Sequence, residues 1–295
     1  MDGPEPAIPP ARAVDLPGRG RTWVYDSQLG GDEHPTPIHQ SPLLLLHGWT
    51  STAALNWCCC LTPLAADWRV LALDQRGHGR GVRSRRAFRL EDCADDAAAL
   101  IEQLGTGPVV AVGYSMGGPV AQLLWQRHRH LVNGLVLCAT AARFAFATEL
   151  RGPARTIGLG MAMALSGVPA NLRRQGYGLV VRSRVGSGVA PWALGEWQRH
   201  DPAALLQAGL ALRRFDATGW IGSVDVPTAV VVTTRDVTVL PERQWQLAQS
   251  IPGSTAFPIA GTHRACVDQA ELFVPALRAA CRVAQRTHVP QPLST

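Results

Sequence analysis

The chain has 295 residues, enough for one large domain with a sizeable core. With 46% apolar and 17% charged residues it is not a disordered chain, and the composition fits a compact protein. All 28 basic residues are arginine, and the net charge of +6 sits in one segment: residues 142–222 hold ten arginines against four acids, while the rest of the chain balances 18 against 18.

Residues 1–12 are Pro-rich, and residues 1–20 are expected to be a loose leading segment. They lack the basic start and apolar core of a secretory signal. Thr22–Tyr25 reads as an early strand. Leu43–Leu46 is a continuous apolar run suited to a strand covered on both faces, and it ends in His47-Gly48-Trp49. Residues 69–73 (RVLAL) repeat the pattern and end in DQRGHGRG. The seven cysteines include no C-x-x-C pair, and Cys58, Cys59 and Cys60 are consecutive. Their odd count and spacing point to a reduced, cytoplasmic protein.

Leu90–Leu104 has helical spacing, with Glu91, Asp92, Asp95 and Asp96 near its start, where the helix dipole favours acids. Val109–Val112 then leads into Gly113-Tyr114-Ser115-Met116-Gly117, followed by a helix reaching about His130. A strand, a sharp turn with serine at its apex and a helix are the parts of a nucleophile elbow. Gly113 and Gly117 stand where a side chain would collide with the opposite limb of the turn. The plain alternative is a serine that merely caps the helix.

Leu135–Cys138 makes one more strand, after which alternation stops. Residues 142–222 show helical fragments broken by Gly and Pro, read as a mainly helical cap inserted over the sheet. Within it, Thr156–Leu172 is uncharged; it is too short for a membrane span but suited to touching a membrane or a lipid substrate. Alternation resumes at 228–232 (TAVVV), leading to Thr233-Thr234-Arg235-Asp236. A helix is expected over Glu242–Gln249, a last strand over Ser254–Ile259, then Gly261-Thr262-His263 and a helix to about Val283. Strand–helix alternation of this kind indicates an α/β fold with a mostly parallel central sheet flanked by helices. The core is expected at 21–141 and 223–284, the cap at 142–222, and a tail at 285–295.

Ser115 follows a central strand, Asp236 a later strand and His263 the last one, in the order serine, acid, histidine. With HGW, DQRGHGRG, GYSMGG, TTRDVTVLP and GTHRA in place, the chain resembles the α/β-hydrolase family from about residue 21 to 283. That resemblance implies a Ser-His-Asp triad of Ser115, His263 and Asp236. Ser115 needs a base, supplied by His263, and the imidazolium that forms needs the carboxylate of Asp236. The oxyanion hole is expected from the backbone N–H groups of Trp49 and Met116, one such donor being worth about 3–4 kcal/mol in the transition state. Asp225 lies at the wrong end of its strand to serve as the acid. His47 and His78 are expected to brace loops, as is Asp74.

Trp49, Tyr114, Met161, Met163, Trp192 and Trp197 are the candidate substrate contacts, and together they favour an apolar acyl group. The expected activity is hydrolysis of carboxylic esters or thioesters through an acyl-enzyme. Similarity to cofactor-free haloperoxidases keeps perhydrolysis beside it, and acyl transfer and carbon–carbon bond hydrolysis use the same machinery. The aspartate-nucleophile enzymes, epoxide hydrolases and haloalkane dehalogenases, are disfavoured by Ser115. A non-catalytic binding scaffold is the alternative of another class. No metal, cofactor or nucleotide is expected, since no ligand set or phosphate loop is present. Nucleic acid is not an expected partner either. The arginine-rich cap suits an anionic partner, such as a lipid surface at the membrane periphery or a phosphate-bearing thioester.

Overall fold

The computed structural model describes residues 8–30, 40–144 and 191–285, together with Pro169, Leu172 and Gln175. Its strands are β1 (Ala11–Leu16), β2 (Gly20–Asp26), β3 (Leu43–Leu46), β4 (Val70–Leu73), β5 (Val109–Tyr114), β6 (Val132–Cys138), β7 (Thr228–Thr233) and β8 (Thr255–Ile259). They form one sheet in the order β1-β2-β4-β3-β5-β6-β7-β8. From β4 through β8 every ladder is parallel, whereas β2 runs antiparallel to β4 and β1 antiparallel to β2.

The described helices are α1 (Ala53–Trp57), α2 (Leu61–Ala65), α3 (Leu90–Leu104), α4 (Gly117–Arg127), α5 (Pro191–Gln198), α6 (Pro202–Arg214), α7 (Pro241–Ser250), α8 (Ala265–Asp268) and α9 (Ala270–Ala284). The four leucines of β3 are fully buried, as a strand with covered faces requires. Their side chains alternate with the pleat. Leu44 and Leu46 join a core with Leu100 of α3, Val120 and Leu124 of α4 and Leu247 of α7. Leu43 and Leu45 join a second core with Trp57 of α1, Leu61 and Leu64 of α2 and Phe273 and Leu277 of α9. Helices therefore pack on both faces, and the C-terminal ends of the parallel strands form one edge where the strand order reverses, the usual place for a site.

Local signals set several boundaries. Gly105 closes α3 in a left-handed conformation at φ 59°, and its N–H satisfies carbonyls of the last turn. Thr52 caps α1 by accepting from the Leu55 N–H at 3.2 Å, and Asp201 caps α6 by accepting from the Ala203 N–H at 3.0 Å. The N-terminal reading needs correction at β1. Residues 11–16, inside the stretch expected to be loose, pair along β2 from Ala11 opposite Tyr25 to Leu16 opposite Gly20. Val14 and Leu16 are buried while Asp15 between them is exposed, which is the alternation of a one-faced edge strand.

Candidate active site

β5 delivers Ser115 at a turn that only glycine can flank. A Cβ on Gly113 would stand 2.3 Å from the Gly117 carbonyl oxygen, and one on Gly117 would stand 2.0 Å from that of Leu46. Ser115 itself has φ 51°, a left-handed conformation that costs a non-glycine residue about 1–3 kcal/mol. Neighbouring bonds hold it there. Its N–H donates to the Cys138 carbonyl at 2.9 Å, and its carbonyl accepts from the Gly118 N–H at 2.9 Å and Thr140 Oγ1 at 2.8 Å.

His263 lies on the loop after β8 and Asp236 on the loop after β7. His263 Nδ1 is 2.7 Å from Asp236 Oδ2, and His263 Nε2 is 3.0 Å from Ser115 Oγ. A carboxylate can only accept, so Nδ1 carries the proton and Nε2 is left to accept from the serine hydroxyl. Asp236 is almost fully buried, and its other oxygen accepts from the N–H groups of Thr238 at 2.8 Å and Val239 at 2.9 Å. Burial pushes its pKa up, but the hydrogen bond and charge of His263 and these backbone donors outweigh that and hold it below the ordinary value. Two further side chains brace it. Thr233 Oγ1 donates to Asp236 Oδ2 at 2.9 Å, and Gln244 Nε2 lies 2.9 Å from Thr233 Oγ1 and 3.3 Å from Asp236 Oδ2. Gln244 had no role in the sequence reading. Its signal was a glutamine three and four residues before Leu247 and Ala248, on the buried face of α7.

The loop after β3 approaches the elbow closely, since a Cβ on Gly48 would stand 3.3 Å from that of Ser115. Among the described residues, the backbone N–H groups of Trp49 and Met116 have no hydrogen-bond acceptor. The neighbouring peptide is held from behind. Gly48 N–H donates to Asn56 Oδ1 at 2.8 Å, and His47 Nε2 accepts from the Gln75 N–H at 2.9 Å. His47 Nδ1 therefore carries the proton and donates to the Gly48 carbonyl at 2.8 Å. In a trans peptide the carbonyl and the following N–H point opposite ways, so this bond fixes where the Trp49 N–H aims.

His47, His78 and His200 form a buried row, with ring centroids 5.3 and 5.5 Å apart. Burial lowers the pKa of His47 and of His78 to about 3 and holds that of His200 well below normal, so all three are neutral braces. Asp74 binds the N–H groups of Ala53 and Arg80, each at 2.8 Å, and burial raises its pKa to about 6.

Several expected substrate contacts fall elsewhere. Tyr114 is buried among Trp57 and Phe273, and its hydroxyl donates to the His263 carbonyl at 2.8 Å, so it supports the histidine loop from beneath. The Met116 side chain is fully buried in the core. Trp192 lines a cavity that no residue of the Ser115–His263–Asp236 set borders. Trp197 is half-buried on α5. Trp49 is 37% exposed, on the loop whose Gly48 approaches Ser115. Met161 and Met163 lie outside the described residues, as do most of the cap arginines. No helix among the described residues is long and apolar enough to cross a membrane.

Residues 41–267 match the family model for the alpha/beta hydrolase fold. The chain belongs to the α/β-hydrolase fold family. This α/β hydrolase is 28% identical over 240 residues to a pimeloyl-[acyl-carrier protein] methyl ester esterase of Neisseria meningitidis serogroup C, covering 79% of its own length and 91% of the relative. Among solved structures it resembles a thermophilic esterase from Thermogutta terrifontis, with a TM-score of 0.69 and 24% identity over 94% of this chain and 100% of that one. It also resembles a bromoperoxidase from Bacillus anthracis, with a TM-score of 0.70 and 18% identity over 92% and 100%. These last two similarities are of fold.

Proposed function

We propose that this α/β hydrolase cleaves carboxylic esters or thioesters of apolar acyl groups through an acyl-enzyme on Ser115. The observation that carries the reading is the unbroken hydrogen-bonded path from Asp236 through His263 to Ser115 Oγ. Ser115 Oγ attacks the acyl carbon as its proton passes to His263 Nε2. The carbonyl electron pair moves onto oxygen, which the free N–H groups of Trp49 and Met116 receive. When the carbonyl re-forms, the alkoxide or thiolate leaves with the proton from His263. Water then gives a proton to His263, attacks the serine ester, and the acid departs as Ser115 takes its proton back.

The Neisseria relative is named for a methyl ester of an acyl chain carried on acyl-carrier protein. A methyl ester at the end of a carrier-bound acyl chain is accordingly the first substrate to offer. The arginine excess of residues 142–222 suits a phosphate-bearing carrier or an anionic lipid surface. The setting is the cytoplasm, consistent with seven unpaired thiols.

The test uses p-nitrophenyl esters from acetyl to dodecanoyl and a fluorophosphonate probe. The natural chain should turn over the esters and become labelled, and Ser115→Ala should lose labelling and drop turnover on the order of a thousandfold or more. Undiminished turnover by Ser115→Ala overturns the reading. An unlabelled natural chain that still binds small ligands would assign it to a binding scaffold instead.

A further inference from the structure

The turn between α1 and α2 is Cys58-Cys59-Cys60, and the hydrolytic mechanism uses none of its sulfurs. The three thiols are held in place. Cys58 Sγ lies 3.8 Å from the Leu55 carbonyl oxygen, Cys59 Sγ 3.9 Å from that of Val267 on α8, and Cys60 Sγ 3.8 Å from that of Cys266. So placed, the Cys58 and Cys59 sulfurs stand 3.8 Å apart. Cys59 is partly exposed and Cys58 is 7% exposed, whereas Cys60 is fully buried. A reagent that joins Cys59 from solvent therefore meets the Cys58 sulfur at once.

That spacing selects among the groups a pair of thiols can take. A direct disulfide is unfavourable, because adjacent Cα atoms across a trans peptide are about 3.8 Å apart, short of the roughly 4.4 Å at which such bonds begin to be relaxed. Two bonds of about 2.3 Å, the usual zinc–thiolate length, meet across 3.8 Å at about 110°. A linear two-coordinate ion needs its sulfurs about 4.6 Å apart, twice that bond. Zinc has the right angle but takes four ligands, and among the described residues no group of three or more His, Cys, Asp or Glu is placed to hold a metal ion. A pyramidal atom that bonds two sulfurs and brings its own third substituent needs only this pair. Trivalent arsenic carrying one organic group is such an atom, and its bonds to sulfur are of similar length.

We propose that Cys58 and Cys59 form a dithiol site that captures monosubstituted trivalent arsenicals. In the capture, R–As=O reacts with both thiols: two As–S bonds form, the As=O bond and both S–H bonds break, and the oxygen leaves with the two protons as water. Arsenic stays trivalent, so no oxidant or reductant is consumed. The second As–S bond forms within one molecule, so the chelate holds at least about a hundredfold more tightly than a single thiol does. Cys60 takes no part, since its sulfur is fully buried and lies against the Cys266 carbonyl.

Phenylarsine oxide added to the native full chain tests this, read by intact mass and peptide mapping. One adduct per chain, of the reagent less one water, should form across Cys58 and Cys59. It should survive excess 2-mercaptoethanol and be removed by 2,3-dimercaptopropanol. Cys59→Ser and Cys58→Ala, each checked by its melting curve, should release the reagent to 2-mercaptoethanol at least about a hundredfold faster, whereas Cys60→Ala should hold it as the natural chain does. Cys59→Ser changes a partly exposed position, so it decides the matter even where a buried substitution unfolds the chain. A native chain that stays unmodified overturns the proposal. An adduct that forms only in denaturant, survives in Cys59→Ser or maps to other cysteines overturns it as well.

Discussion

The indole of Trp49 packs against the bare backbone of Gly209: a Cβ added there would stand 2.8 Å from Trp49 Cζ2 and 3.1 Å from Cη2. The same ring donates from Nε1 to the Leu205 carbonyl at 2.8 Å. Gly209 and Leu205 share one face of α6, a turn apart, so α6 grips the residue proposed to offer its backbone N–H to the oxyanion. Gly209→Ala should raise helix propensity by about 1 kcal/mol while pushing the ring, and with it the Trp49 N–H, out of register. The expected result is a kcat about tenfold lower on an activated ester, with unchanged or slightly higher thermal stability. Adding Trp49→Phe, whose smaller ring lacks Cζ2 and Cη2, should restore most of the rate. A Gly209→Ala enzyme with natural kcat would show that α6 does not set the loop.

Gln244 gives a second test. It braces the acid both directly and through Thr233. Gln244→Leu keeps much of the volume on the buried face of α7 but removes the amide beside Thr233 Oγ1 and Asp236 Oδ2. Removing one supporting partner of a well-bonded carboxylate should lower kcat by about three- to tenfold with KM nearly unchanged. Equal loss in binding and rate would mean general damage to the site instead. Gln244→Glu, which sets a second carboxylate beside Asp236, should be worse than Gln244→Leu, because like charges raise the pKa of the pair.

Much of this architecture was legible because the inner strands need so little decoding. Leu43–Leu46 and Val109–Val112 are apolar without interruption, and only a strand covered on two faces requires that. The Ser115 and Asp236 loops were legible because each follows a strand buried along its whole length, whereas His263 follows the partly exposed edge strand β8 and was legible only from its place after the last strand. β1 was not, since only Val14 and Leu16 turn inward and the preceding prolines mask the alternation. Side-chain direction at the elbow was also hidden. Tyr114 is the last residue of β5, so the pleat turns its ring down into the second core and only the backbone of the turn faces the site. Trp192 illustrates a further limit: its helix was read as cap, but nothing in the local pattern said that α5 packs towards β2.

The cysteines make a prediction of accessibility. Six of the seven are buried, and Cys59 alone is partly exposed. Burial pushes the Cys58 and Cys266 thiols up to about 12, which keeps thiolate scarce at both. Iodoacetamide at mildly alkaline pH should therefore modify the native chain at Cys59 first, read by peptide mass mapping, and reach all seven only in denaturant. Prompt labelling of Cys266 in the native chain would show that the loop carrying His263 opens readily.

The buried histidine row makes stability depend on pH, and the sign can be worked out group by group. His47 and His78 have folded pKa values of about 3 against an ordinary 6.5, so between those values the unfolded chain takes up protons that the folded chain refuses. Each thus removes about 1.4 kcal/mol of stability per pH unit as the pH falls below 6.5, and His200 acts in the same direction. Asp74 opposes them. Its folded pKa of about 6 exceeds the ordinary 3.8, so it returns stability as the pH falls through that interval. One carboxyl against three imidazoles leaves a net loss on acidification. The melting temperature should hold near neutrality and fall steadily below pH 6.5. His78→Phe keeps the aromatic packing against Phe88 and should make that decline shallower by about half between pH 6 and 4, where Asp74 offsets one of the three imidazoles, even if its neutral-pH stability is lower for want of the bond to the Arg76 carbonyl. An unchanged slope in that variant would mean that the histidines already exchange protons in the folded chain and that other groups drive acid unfolding.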